Sequence, residues 1–139
     1  MATLLNPYLN FRARTREVMT FYQTVFGGTL DISTFADLGM NDDPAIADNV
    51  MHSVLTTDTG FTIMAADVPD HMELAAGSSI SLSLSGDDEP RLSGYFHALM
   101  EDGTVVEPLS KAPWGDSFGM GLDRFGVSWL VNISGAQPA

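Results

Sequence analysis

The chain reads as an α+β protein built from two copies of a strand–helix–strand–strand–strand unit, spanning about 4–67 and 78–134. Three observations predict this. Asp58-Thr59-Gly60 runs into Phe61-Thr62-Ile63-Met64, and 66 residues later Phe125-Gly126 runs into Val127-Ser128-Trp129-Leu130. Gly28-Thr29-Leu30 is matched by Gly103-Thr104-Val105 at an offset of 75. Each of those glycines closes a segment with helical periodicity. The fall in offset puts about nine extra residues in the first copy, and the loop at 37–48 is the place for them. A duplicated unit would place a pocket between the copies.

The elements follow in order. Leu4 to Phe11 reads as a strand. Thr15 is placed to cap the helix that follows. In that helix Val18, Phe21, Tyr22, Val25 and Phe26 form the apolar stripe of an amphipathic segment. Gly27-Gly28 suits a left-handed helix end. Thr29 to Phe35 is a second strand, and 37–48 has turn chemistry without periodicity. Val50 to Thr57 and Phe61 to Ala66 make a hairpin around Asp58-Thr59-Gly60.

In the second half, Ser79 to Ser85 alternates serine with Ile80, Leu82 and Leu84. A helix can cover the apolar face, and the serine face suits either a cavity wall or solvent. Asp88 caps a helix through Leu92, Phe96, Leu99 and Met100, and Pro90 is tolerated in its first turn. Strands follow at Thr104–Leu109, Phe118–Asp123 and Val127–Ile133.

Composition limits the function. With 139 residues, 45% hydrophobic and 17% charged, the chain can bury the core of one ordinary domain. No apolar run approaches the ~20 residues that span a bilayer. The N-terminus lacks the basic and apolar regions of a signal peptide, so a cytoplasmic location is expected. The absence of cysteine excludes disulfides, thiolate catalysis and thiolate-bound zinc. A net charge of −12 repels phosphate backbones, so nucleic acid is not an expected partner. That charge would attract cations, and it also serves solubility.

The unit order resembles the vicinal oxygen chelate superfamily, which includes glyoxalase I, extradiol dioxygenases and bleomycin-resistance proteins. The likeness is closer to its PhnB-like branch. The residues that carry it are Pro7-Tyr8-Leu9-Asn10-Phe11, Phe21-Tyr22 with Phe26-Gly27-Gly28, Met51-His52, Lys111-Ala112-Pro113-Trp114-Gly115-Asp116 and Asp123-Arg124-Phe125-Gly126-Val127. The resemblance implies two curved mixed sheets around a concave pocket, with helices on the convex side, and a homodimer. Metal-dependent members hold a divalent ion on the first and last strands of each module. Here those positions fall on Asn6 or Pro7, Met64, Ser79 and Leu130, a poor donor set for a hard or borderline ion. The resemblance therefore implies neither a metal nor another cofactor here. Some families of this branch carry a demethylubiquinone methyltransferase label. No glycine-rich turn follows the first strand and no doubly wound sheet is expected, so a methyl-donor site is not indicated.

Other candidates for chemistry are few. His52, in a strand, could act as a general base because imidazole exchanges protons near neutrality, or it could be structural. Asp67, Asp70, His71 and Glu73 have metal-ligand chemistry without a ligand spacing, and a solvated acidic loop explains them better. His97 is expected at the surface of the second helix. Trp114 could stack on a ligand and Asp116 could hold a cation or hydroxyl, or the two could plug the sheet end and shape a turn. Tyr8, Asn10, Met64, Phe118, Leu130 and the serines Ser79, Ser81 and Ser83 would line an apolar pocket with a few polar groups. Trp129 has the opposite parity to Leu130 and should pack under a helix.

The favoured reading is a metal-free small-molecule binder for a cationic or aromatic ligand. The alternatives are a lyase, isomerase or dioxygenase with unusual metal ligands, and a non-catalytic dimeric interaction module.

Overall fold

The computed structural model describes residues 4–39, 44–69, 74 and 79–135. The chain divides into two compact units, Met1–Ala76 and Gly77–Ala139. The first contains β1 (Tyr8–Phe11), α1 (Thr15–Phe26), β2 (Thr29–Thr34), β3 (Val50–Thr56) and β4 (Thr62–Asp67). The second contains β5 (Leu82–Gly86), α2 (Glu89–Met100), β6 (Thr104–Lys111), β7 (Ser117–Leu122) and β8 (Ser128–Ile133). The sheet orders are β1-β4-β3-β2 and β5-β8-β7-β6. In each, the first and last strands of the unit pair in parallel and the other pairs are antiparallel. The result is an α+β fold with two open, curved, mixed sheets. No helix among the described residues is long and apolar enough to cross a membrane.

Side-chain parity sorts each sheet into a helix face and an open face. In the first unit Phe11, Ile63, Ala65, Ser53 and Leu55 point to α1 and are buried, with Val18, Met19, Tyr22 and Phe26 of α1 above them. In the second, Trp129, Val131 and Ile133 of β8 lie under Leu92, Phe96, Leu99 and Met100 of α2. Each fully buried large apolar side chain contributes on the order of 1.5–3 kcal/mol. Gly119 and Gly121 of β7 make room there, because a Cβ at either would meet Phe96 or Met100.

The two units repeat the same backbone devices. Gly60 N–H donates to Thr57 O at 3.0 Å, and Gly126 N–H donates to Asp123 O at 2.9 Å. Thr57 N–H donates to Phe61 O, and Asp123 N–H donates to Val127 O, both at 2.9 Å. A Cβ on Gly28 would strike Thr56 O, and one on Gly103 would strike Leu122 O. These pairs sit at the offsets of 66 and 75 seen in the sequence. The added length of the first copy lies between β2 and β3, residues 35–49, against 112–116 between β6 and β7. Thr34 and Asp37 open that longer connection with reciprocal bonds of 3.0 Å. The Thr34 backbone N–H, then its hydroxyl, holds the Asp37 carboxyl below its ordinary value.

Three sequence expectations are corrected. The first strand begins at Tyr8, not Leu4, because its parallel ladder on β4 starts with the Met64 N–H to Pro7 O bond. Leu4 and Leu5 are exposed. The fifth strand begins at Leu82, so Ile80 lies outside the apolar face expected for it and is exposed. Thr15 is the first helical residue rather than the cap, and Arg14 at the cap position makes no side-chain cap bond. The capping group comes from β4. Asp67 Oδ1 accepts from Arg14 N–H at 3.0 Å, Thr15 N–H at 2.9 Å and Thr15 Oγ1 at 2.7 Å. Its Oδ2 accepts from Val50 N–H at 2.8 Å.

Asp67→Asn leaves one amide oxygen to serve donors that now use two carboxylate oxygens, and sets an NH2 donor against the rest inside a buried site. Urea denaturation should show a loss of about 2–4 kcal/mol. Gly103→Ala should cost more than ~2 kcal/mol because the new methyl meets backbone. Gly94→Ala should do the reverse. Gly94 lies within α2 with open space around it, so the same assay should show a gain of about 0.4–1 kcal/mol.

Candidate functional site

The register of the first sheet gathers several candidates on its open face. Tyr8 pairs with Met64 and Asn10 with Ala66 across the β1–β4 ladder. Met64 pairs with Val54, and His52 with Ser33. Asp31, opposite Val54, adds a carboxylate. Tyr8 is 46% exposed, while His52 and Met64 are half-buried. The Tyr8 and His52 rings stack with centroids 5.8 Å apart and planes 28° from parallel. The Tyr8 hydroxyl lies 3.3 Å from His52 Nδ1. This face thus offers an exposed aromatic ring, a thioether and an imidazole within one patch of three strands. The His52 pairing with Tyr8 was not legible in the sequence, since a parallel strand contributed by residues far earlier in the chain creates it.

The second sheet has its own open face. Ser83 pairs with Leu130, which pairs with Met120, and Phe118 pairs with Asn132. Ser83 is exposed, and Phe118, Met120 and Leu130 are half-buried. The repeat offsets equate Tyr8 and Met64 with Ser83 and Leu130, and His52 with Phe118. Ser81 bonds Ser128 through their hydroxyls at 2.7 Å, just ahead of β5. Ser79 is exposed and outside the strand.

Asp116 is engaged by its own unit. Its Oδ1 accepts from Gly135 N–H at 2.9 Å and its Oδ2 from Asn132 Nδ2 at 3.3 Å. Ala112 N–H to Asp116 O at 2.6 Å and Gly115 N–H to Ala112 O at 3.0 Å close the loop that carries Trp114. Trp114 is 73% exposed on that loop, so it does not plug the sheet end. Trp129 is buried as expected, and its Nε1 donates to Asp123 Oδ2 at 2.9 Å. Asp123 Oδ1 accepts from Phe125 N–H and Val127 N–H.

Of the acidic loop, Asp67 is a buried capping group rather than a solvated ligand. Asp70, His71 and Glu73 lie outside the described residues. Among the described residues no three of His, Asp and Glu come close enough to hold a metal ion.

One feature escaped the sequence reading. A cleft of about 1070 Å³ opens in the second unit on the helix side of its sheet, lined by Ser93, His97, Lys111, Ser117 and Ile133 among others. Ser93 and His97 stand one helical turn apart, which was the available signal.

Paired strand–helix–strand–strand–strand units with one helix-covered and one open sheet face define the vicinal oxygen chelate class of fold. The chain belongs to the family whose model is described as 3-demethylubiquinone-9 3-methyltransferase, which matches residues 4–132. Protein PA1353 from Pseudomonas aeruginosa is 36% identical, with a TM-score of 0.82 over 96% of this chain and 98% of that one. The PhnB protein from Bacillus cereus is 25% identical, with a TM-score of 0.76 over 95% of this chain and 100% of that one. A glyoxylase/bleomycin resistance protein/dioxygenase domain from Frankia sp. EAN1pec is 11% identical, with a TM-score of 0.66 over 96% of this chain and 98% of that one, and shares the fold.

Asp116→Ala removes both ties between the Trp114 loop and the end of β8, and thermal unfolding should report a loss of about 1–2 kcal/mol. Trp114→Ala should leave stability within ~0.5 kcal/mol, as expected of an exposed side chain. Any change in ligand binding by that variant then reports a contact.

Proposed function

We propose that this chain is a small-molecule-binding protein of the glyoxalase/bleomycin-resistance type that works without the divalent ion of its metal-dependent relatives. The observation that carries this is the open face of the first sheet. Tyr8, His52, Met64 and Val54 present an aromatic and apolar surface with a few polar groups, the composition of a ligand site rather than of a solvated sheet face. Phe118, Met120 and Leu130 give the second sheet a related open face. An aromatic or cationic ligand suits the exposed Tyr8 ring and the acidic chain.

The donor chemistry argues against the usual metal. The positions that metal-dependent relatives use fall here on Asn6 or Pro7, Met64, Ser79 and Leu130, and the strand residues that pair with Met64 and Leu130 are Tyr8 and Ser83. A thioether is a soft donor, an aliphatic side chain is none, and two hydroxyls do not make a site for a hard or borderline divalent ion. The family's methyltransferase description is not adopted as this chain's activity. Phe11 is followed by Arg12-Ala13-Arg14, not by a glycine-rich turn, and each sheet contains one parallel pair rather than a doubly wound parallel core. A single domain of two repeats, a cytoplasmic location and a homodimer complete the reading. The exposed Val105 and Val106 on edge strand β6 support the last of these.

Two measurements test this. A panel of planar aromatic and cationic compounds should contain members that raise the melting temperature by several degrees, because a ligand at a hundred times its Kd adds about 2.7 kcal/mol. A flat response across the panel would overturn the binding reading. Elemental analysis of untagged protein should find divalent metal well below one equivalent, and a tightly held stoichiometric ion would restore the metal-dependent alternative.

A further inference from the structure

We propose that His52 is the proton acceptor for a planar ligand bearing an acidic hydroxyl, a phenol or its heteroaromatic counterpart, and that Tyr8 orients the imidazole and offers the stacking surface. This deepens the small-molecule reading above and rests on it. The geometry has three parts. The Tyr8 ring is open to solvent on one side and stacked on the imidazole on the other. Its hydroxyl engages His52 Nδ1. Among the described residues Nε2 has no partner, so it is the ring nitrogen left for a ligand.

Besides Val54 of the same strand, the groups nearest His52 in register on this face include Tyr8 and Asn10 from β1, Asp31 and Ser33 from β2, and Met64 and Ala66 from β4. Asp31 is the one charged residue among them. None of the six is a cation. Met64 and Val54 keep the surroundings apolar, which suits an aromatic ring better than a hydrated ion.

The step is a single proton transfer. In the tautomer whose Nδ1–H donates to Tyr8 Oη, Nε2 carries the lone pair. The ligand O–H bond breaks, its electron pair stays on the oxygen, and an N–H bond forms at Nε2. The products are a phenolate and an imidazolium, with Nδ1–H still donating to Tyr8. No co-reactant is required. Binding as an adjacent ion pair makes the ligand more acidic in the complex than in water.

The test uses para-nitrophenol, whose phenolate has its own visible absorption, at a pH where the free compound is mostly protonated. Excess wild-type protein should raise the phenolate fraction several-fold. His52→Gln can still accept a hydrogen bond but cannot take a proton, so it should bind the compound and lose that rise. Tyr8→Phe keeps the ring without the hydroxyl and should show a partial rise. Para-nitroanisole, which has no proton to give, should bind wild type without any comparable spectral change. Near-ultraviolet circular dichroism confirms that each variant is folded, and Tyr8→Phe carries the test if His52→Gln is not. An equal rise in wild type and both variants would place the proton acceptor elsewhere and overturn the proposal. Failure of wild type to bind para-nitrophenol would also overturn it. In that event a positive thermal-shift panel leaves the small-molecule reading standing, and a silent panel removes both.

Discussion

One buried carboxylate holds the first unit together. Asp67 ends β4 beneath the start of α1 and satisfies the Arg14 and Thr15 N–H groups, the Thr15 hydroxyl and the Val50 N–H. The Thr15 and Val50 donors are buried, and each buried donor left unpaired at a helix or strand start costs on the order of 1–3 kcal/mol. By joining the last strand, the helix and the third strand, Asp67 fixes the β4 register. The β4 register in turn sets which residues of β1 and β3 share a face with Met64. Tyr8 stands beside His52 because the parallel β1–β4 ladder and the antiparallel β3–β4 ladder meet on that strand.

The second unit solves the same topological problem differently. Its helix is capped locally, with Asp88 accepting from Arg91 N–H at 3.1 Å. Its last strand carries Ile133 where the first unit carries Asp67, and its buried carboxylate has moved to the hairpin turn. There Asp123 binds two turn N–H groups and the Trp129 indole, a task that Thr57 performs with its hydroxyl toward Phe61 in the first unit. Backbone geometry is preserved between the copies while the side chains that secure it are exchanged. The open faces diverge in the same way. Tyr8 and His52 in one unit correspond to Ser83 and Phe118 in the other, so polar chemistry concentrates on the first sheet.

Much of the architecture was legible. The echoing turns and glycines mark close backbone approaches, and such contacts demand particular residues at fixed offsets. The α1 stripe and the alternation in β5 and β8 follow from the 3.6 and 2.0 periods of helix and strand. Strand starts were less legible, because apolar Leu4, Leu5 and Ile80 look like strand residues, while among the described residues the ladders begin only at Tyr8 and Leu82. The helix cap was misread for a related reason. A local hydroxyl at Thr15 was the visible candidate, but the acceptor arrived from a residue far along the chain. The candidate site residues were named in the sequence, but their arrangement was not legible: Trp114 and Asp116 lie two residues apart, yet one is exposed and the other is bound to Gly135 and Asn132.

By itself the sequence determined the duplicated α+β unit, its helices, and the parity that buries Trp129 and turns Leu130 outward. These are properties of local period and of residue chemistry, which no distant contact alters. The tertiary structure alone decided that Asp67 caps α1, that Asp116 is spent on a loop, and that Tyr8 and His52 form a stacked, hydrogen-bonded pair. Each of these depends on a partner brought close by strand pairing. Pairing register is settled by burial over a whole sheet face, not by any short stretch of chain.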